Sequence, residues 1–299
     1  MSITVIGESN IDIMVMRHDT DIQGGCTPGS ISFHYGGVAR NIAHNLCLLG
    51  HEVKLMTVFG DDDFATRLID DCKHIGMDLS LSTQYENARS PIFLSFNNRF
   101  GDMQSAVSDT ESNERMDLYW LKAKMEAISH SDLVVADTLL CAEALAYLID
   151  HCAAPLYFDA VSPKRAMRIA DALDKSKRKS FFALKCNLAE AKALTGITEA
   201  EKAAKYLNAN GIENVYLTLG EDGVVYCVRG ETRHFPALKA DVVNVTGAGD
   251  AFLAGVVHAH AIGSVGVEAV NFGLEMARLN TESEAPVNPT LRLHMLKES

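Results

Sequence analysis

An α/β fold, with a parallel-rich sheet flanked by helices and a small β lid, is predicted by three features of the sequence. Short β-rich apolar runs recur between helical stretches, which is the βαβ rhythm of a parallel sheet covered on both faces. Most of these runs end in Gly, Asp, Asn or Thr, where open α/β sheets gather their ligands. Two stretches break the rhythm. Residues 14–34 end in the alternating run Ser30-Ile31-Ser32-Phe33-His34, and residues 90–107 hold Ser90-Pro91-Ile92-Phe93-Leu94-Ser95-Phe96, a turn at Asn97–Asp102 and Met103–Val107. Too short to form a core, they are read as a lid inserted into one domain made of residues 1–13, 35–89 and 108–299.

The core elements are predicted in chain order. Thr4–Gly7 reads as the first strand, Val38–Leu49 as a helix opened by glycines, Val53–Phe59 as a strand and Phe64–Ile75 as a helix. After the second lid segment come the strand Leu133–Ala136, the helix Cys141–Cys152 and the strands Leu156–Asp159 and Phe181–Lys185. The helix Leu188–Leu194 and the strand Val215–Leu219 follow, and from Ala248 the chain is mostly helical, ending in a polar tail. No fixed-period repeat or low-complexity tract interrupts this order.

Composition excludes several functions. With 27 basic and 39 acidic residues the net charge is −12, which argues against a nucleic-acid partner. No apolar run approaches the roughly 18 residues that would span a membrane, and the start lacks the pattern of a signal peptide. The seven cysteines are scattered without a C-x-x-C pair, so reduced thiols in the cytoplasm are expected. There is no G-x-x-x-x-G-K-[ST] loop, and Gly247-Ala248-Gly249 lacks the third glycine of a dinucleotide fingerprint.

The run Asn244-Val245-Thr246-Gly247-Ala248-Gly249-Asp250 is a small-residue turn that opens the apolar helix Ala251-Phe252-Leu253-Ala254-Gly255-Val256-Val257. Free N–H groups there, with the helix dipole, suit an anion, and the glycines let backbone approach a phosphate. Asp250 at the positive end of the helix is favoured in its ionised form and can accept a hydroxyl proton. Taken alone, the same aspartate fits a helix cap worth about 1 kcal/mol.

A second glycine turn, Gly36-Gly37-Val38-Ala39-Arg40-Asn41-Ile42-Ala43, also opens a helix, with Asn41 in its first turn. Behind the first strand, Asn10 and Asp12 lie two residues apart and share a face in extended chain. With the glycine backbone and Asn41 they suit a polyol, although each alone serves a turn or cap as well. These two blocks, with Gly50 and Gly60, resemble in order and separation both signature motifs of the PfkB/ribokinase family of carbohydrate kinases, over essentially the whole chain.

The resemblance implies a Rossmann-like, ribokinase-like fold with a β lid over the sugar, and a kinase that uses ATP and Mg²⁺. By position it implies that Asp250 is the catalytic base and Gly247, Ala248 and Gly249 the anion hole. Asn10, Asp12, Gly36, Gly37, Arg40 and Asn41 match substrate-binding positions, and Asp109 falls where relatives carry an Asp over the substrate. Lys185-Cys186-Asn187-Leu188-Ala189-Glu190 resembles an N-x-x-E motif in which Asn187 and Glu190 act near the phosphates and Mg²⁺, the glutamate through water. Cys186 stands there where proline is common. Thr218, Gly220 and Gly223 resemble a strand end and turn that meet ATP, and Asn271 a position near the adenine. Asn244 and Thr246, with the Thr281–Val287 loop, resemble a monovalent-cation (K⁺) site of some relatives. Asn244 replaces the usual Asp, which leaves K⁺ dependence open.

For the substrate, Gly36–Gly50, Phe158-Asp159-Ala160-Val161-Ser162 and Val287-Asn288-Pro289 resemble the pseudouridine-phosphorylating branch, which implies transfer to a 5′-hydroxyl. Another nucleoside, or a simple sugar such as ribose or fructose, remains an alternative. So does a non-catalytic nucleoside-binding regulator, against which an intact Asp250 and Glu190 weigh. Relatives often pair through the lid, so a homodimer is an expectation of the same kind.

Overall fold

The computed structural model describes residues 1–18, 25–100 and 102–291. Residues 19–24 of the first expected lid segment, position 101 of the second and the tail 292–299 lie outside the described residues.

Eight strands form the main sheet, in the spatial order Glu231–Phe235, Val224–Val228, Ile212–Thr218, Phe181–Asn187, Leu156–Asp159, Leu133–Asp137, Ser2–Ile6 and Glu52–Met56. The last six are mutually parallel and the first two pair antiparallel at the edge. Leu133–Asp137 and Leu156–Asp159 are buried throughout, because helices cover both faces and the strands need no polar alternation. One face packs on Val38–Leu48, Ala248–Ala261 and Val267–Thr281, and the other on Ala142–His151, Pro163–Lys175 and Ala200–Ala209. The helices Ala248–Ala261 and Val267–Thr281 cross closely: a Cβ on Gly255 would lie 2.6 Å from the Phe272 carbonyl.

The chain order reverses at Ser2–Ile6, whose neighbours are Glu52–Met56 on one side and the later strand Leu133–Asp137 on the other. A crevice outside the carboxyl ends of the strands at such a reversal is where this architecture binds ligands. Gly7, Asp137 and Asp159 stand at those ends.

Several elements differ from expectation. The expected strand Val53–Phe59 divides at Thr57, because the Met56 carbonyl is taken by the Gly7 N–H and the Ser82 hydroxyl takes the Thr57 N–H. Val58–Phe59 then pairs with Thr83–Gln84. The edge hairpin 224–235 was not foreseen; its two-residue turn, Arg229-Gly230, has φ of 51° and 79°, the conformation that joins twisted antiparallel strands. The helix Pro163–Lys175 was also missed, although Ser162 caps it and proline occupies its first turn.

A second sheet has the order Gly29–Gly36, Asn10–Arg17, Ile92–Asn97, Met103–Asp109. It reaches beyond the expected ranges 14–34 and 90–107, since pairing continues to Asn10 and Gly36 at one corner and to Asp109 at another. Its register sorts side chains into two faces. Asn10, Asp12, Gly36 and Phe93 share one, and Ile11, Ile13, Tyr35, Phe33, Ile92, Leu94 and Val107 share the other.

Candidate active site

Asp250 lies in the first turn of Ala248–Ala261, whose N-cap is Gly247 at φ 78°. A side chain at 247 would meet the Pro286 carbonyl at 2.0 Å, so the turn can close against the 281–287 loop only with glycine there. Asp250 is buried, and its Oδ2 accepts a 2.9 Å hydrogen bond from the Asn41 amide on the facing helix. Asn41 is in turn fixed by Arg40, whose guanidinium donates to Asn41 Oδ1 at 3.2 Å.

Beside the turn, the Lys185 ammonium lies 3.0 Å from the Asp159 carboxylate, and a Cβ on Gly249 would come within 2.6 Å of its Nζ. Burial would lower the lysine, but Asp159, Glu190 and Asp250 overcome this and raise it, so it stays charged. Asp250 is pushed up to about 7, by burial first and then by Asp159, against the pull of Lys185 and the Asn41 hydrogen bond. A carboxylate near neutrality is matched to accepting a proton in the transition state.

The residues expected on the substrate side form one cluster. The Asn10 amide donates to Asp12 Oδ1 at 2.6 Å, and any side chain on Gly36 would strike the Asp12 carboxylate. Gly37, at φ 97°, packs on the Glu8 carbonyl and leads into the helix bearing Asn41. Burial, then the nearby Glu8, raises Asp12 to about 6, with Asn10 opposing.

Along the sheet, Asn187 and Glu190 make a reciprocal capping box: Asn187 Oδ1 accepts from the Glu190 N–H, and Glu190 Oε2 from the Asn187 N–H. Asn187 pairs in register with Thr218, which leads into the turn Gly220–Gly223. Gly223, at φ 95°, meets the Phe235 carbonyl so closely that a Cβ is excluded. Among the described residues no group of three His, Cys, Asp or Glu side chains surrounds a metal position. With both Glu190 oxygens engaged in the box, the donor set fits a metal held through water and phosphate oxygens, as Mg²⁺ often is.

Of the other expected site residues, Asp109 and Arg40 stand apart from the crevice. Asp109 falls on the Ile11–Ile92 row, opposite Asp12, and pairs with Arg89 at 3.1 Å. Arg40 does not line the crevice: its guanidinium is committed to the Tyr35 carbonyl, Asn41 and Asp71, which makes it a positioning residue. Asn271 is exposed on Val267–Thr281. Asn244 bonds the Glu284 carbonyl and the Thr246 N–H, while the Thr246 carbonyl takes the Asn280 amide, so these groups already close the loop on itself.

Sequence reasoning passed over Asp137, Asp159 and Lys185 as site residues. Their signal was position: Asp137 and Asp159 close parallel strands at their carboxyl ends, and Lys185 lies two residues before the end of Phe181–Asn187. Asp137 is buried beneath the crevice and accepts the N–H groups of Glu8 and Leu139. Burial, then Glu8, raises it to about 7.

The profile of the pfkB family carbohydrate kinases matches residues 1–292. The chain belongs to the PfkB family. Like other PfkB kinases it is a phosphotransferase acting on a sugar or nucleoside hydroxyl, and ATP is the donor in this family. The pseudouridine kinase of Escherichia coli (strain K12) is 32% identical over 97% of this chain and 94% of its own length. A carbohydrate kinase from Agrobacterium tumefaciens is 28% identical with a TM-score of 0.83, covering 99% of this chain and 97% of that one. The ribokinase of Arabidopsis thaliana, solved with ribose and ATP, shares the PfkB fold at TM-score 0.81 and 20% identity, covering 99% of each chain.

Proposed function

We propose that this PfkB kinase transfers the γ-phosphoryl group of ATP to the 5′-hydroxyl of a nucleoside, and that the nucleoside is pseudouridine. The observation that carries the reading is the buried Asp250 carboxylate, near neutrality, at the head of a helix and facing the helix that carries the substrate-side glycine turn. Its Oδ2 is held by Asn41, and the other oxygen is left to take the hydroxyl proton. Asn10, Asp12 and the Gly36-Gly37 backbone hold the ribose hydroxyls. The likeness to the pseudouridine kinase of E. coli supports the choice of nucleoside.

N–H groups of the Gly247–Gly249 turn receive the charge of the moving phosphoryl group, with Lys185 beside them. Asn187, Thr218, Gly220 and Gly223 border the nucleotide. Mg²⁺, when bound, neutralises phosphate charge, and Glu190 orients its water shell. The four-stranded sheet acts as a lid that excludes water from the transfer. Its apolar face leaves Ile31, Phe33 and Val107 exposed, which supports pairing with a second copy there. The free cysteines fit a reducing cytoplasm.

The test is kcat/KM for pseudouridine, uridine, ribose and fructose under one set of conditions. Pseudouridine is expected to lead uridine by tenfold or more, a difference of roughly 1.4 kcal/mol. Faster turnover of ribose or fructose would remove the nucleoside assignment and leave the kinase.

A further inference from the structure

Glu8, in the turn between Ser2–Ile6 and Asn10–Arg17, is met by four parts of the molecule. Its N–H donates to the Asp137 carboxylate at 2.7 Å, at the end of the neighbouring parallel strand. Its carbonyl takes the Arg40 N–H at 3.1 Å, in the helix that presents Asn41, and backs directly on Gly37. One carboxylate oxygen accepts the Asn113 amide at 3.1 Å, and the other pairs with Arg165 at 2.9 Å, at the start of Pro163–Lys175. Glu8 and Asn113 are both buried, and Arg165 is mostly so.

The two side-chain partners come from informative places. Asn113 lies in the short turn Glu111–Arg115, which receives the chain as it leaves the small sheet at Asp109. Two residues beyond Glu8, the chain enters that same sheet at Asn10. One carboxylate therefore pins an entry and an exit of the small sheet to each other and, through Arg165, to the core. Beside the clamp lies a cavity of about 220 Å³ bordered by Thr110, Asn113, Leu139 and Arg165, so the groups on that side have room to shift.

We infer that Glu8 is a positioning residue for acceptor binding: clamped by Asn113 and Arg165, it sets where Asn10 and Asp12 stand and couples them to the small sheet. A buried carboxylate with two charge-assisted or amide partners holds its geometry tightly, and loss of one partner leaves the others unsatisfied. Nothing in the arrangement touches the nucleotide side, at Asn187 or Thr218. The effect of breaking it therefore falls on the acceptor alone. The inference rests on the reading of Asn10 and Asp12 as acceptor contacts, so its test has one arm that needs no turnover.

That arm is hydrogen–deuterium exchange of the full chain without substrate, comparing wild type with Glu8→Ala and Asn113→Ala. Either substitution is expected to speed exchange at both residues 8–12 and 110–115, by tenfold or more, with the strand Phe181–Asn187 unchanged. Asn113→Ala that loosens 110–115 and leaves 8–12 at wild-type protection would overturn the coupling. The second arm is steady-state kinetics with pseudouridine. Glu8→Ala should raise the nucleoside KM at least tenfold while kcat and the ATP KM stay within threefold. Glu8→Gln, which keeps the Asn113 hydrogen bond, should recover part of that loss. An equal change in both KM values, with no recovery in Glu8→Gln, would mark Glu8 as structural only. If wild type does not phosphorylate pseudouridine, the substrate assignment fails while the exchange arm still decides the coupling.

Discussion

Asp250 combines three requirements in one side chain: proximity to the Gly247–Gly249 turn, a fixed orientation from Asn41, and a proton affinity raised toward neutrality. In the role of base proposed for it, Asp250 must be deprotonated to act, so activity should be lost as pH falls. With a pKa of about 7, kcat/KM is expected to fall about tenfold per unit on the acid side of neutrality and to level off above it. Asp250→Asn keeps the shape but cannot take a proton, and kcat should drop by at least ~10²-fold with ATP affinity changed little. A pH–rate profile of both proteins checks this; a variant with near-normal kcat would remove Asp250 from the chemistry. Asp250 and Asn41 were legible in the sequence because each follows a glycine turn whose only purpose is close approach. Lys185 and Asp159 were not, because a charged residue at a strand end has no local signature. Their partnership joins two residues with twenty-five others between them in the chain, a relation that only pairing in the sheet creates.

At the level of the element, the start of Leu188–Thr195 shows how one motif serves two purposes. The resemblance to an N-x-x-E motif implied metal and phosphate roles for Asn187 and Glu190, and the structure has them stabilising a helix terminus. The two roles separate in Glu190→Gln. Glutamine also serves in a capping box, so stability should fall by no more than about 1 kcal/mol, for the one acceptor lost. The removed charge should raise the Mg²⁺ concentration needed for half-maximal rate while nucleoside KM stays near wild type. An unchanged Mg²⁺ titration would leave the box as the whole role of Glu190. The small sheet was legible as β structure from alternation, but its extent was not. The residues that extend it, Asn10–Ile13 and Ser108–Asp109, carry the polar side chains that had been assigned to ligand binding. The same alternation corrects Asp109, since the pairing register decides its face and sequence alone does not contain that register.

Across the whole molecule, buried titratable groups tie stability to pH in opposing directions. Asp12, Asp137 and Asp250 have folded-state pKa values raised to about 6, 7 and 7. The folded chain therefore binds protons that the unfolded chain has released, and their contribution declines as pH rises from about 4 through about 7. His44 and His258 are lowered by burial to about 3 and 4, and His51 and His260 are lowered as well. Here the unfolded chain binds the extra protons, so stability is lost as pH falls below the ordinary histidine value of about 6.5. The two sets offset each other between about 4 and 6.5, and above that only the carboxylates still titrate. The urea midpoint is expected to be nearly flat from pH 5 to 6.5, then to decline through pH 7.5; a midpoint that rises over that last interval would contradict the burial of these acids. The ionised form of Asp250, which the proposed chemistry needs, is thus the less stable form of the fold.

The strand Asn10–Arg17 carries Asn10 and Asp12 on one face and Ile11, Ile13 and Val15 on the other. Neighbouring positions in the gene therefore answer to different selective pressures. A change at an odd-numbered position alters what the greasy side lies against, and one at an even-numbered position alters what the crevice accepts. Descendants of this chain can drift in one property while the other is conserved, provided that no single residue is inserted or deleted within the strand. An odd-length insertion there would exchange the two sides at once, so in this segment substitutions should be common among descendants and length changes rare.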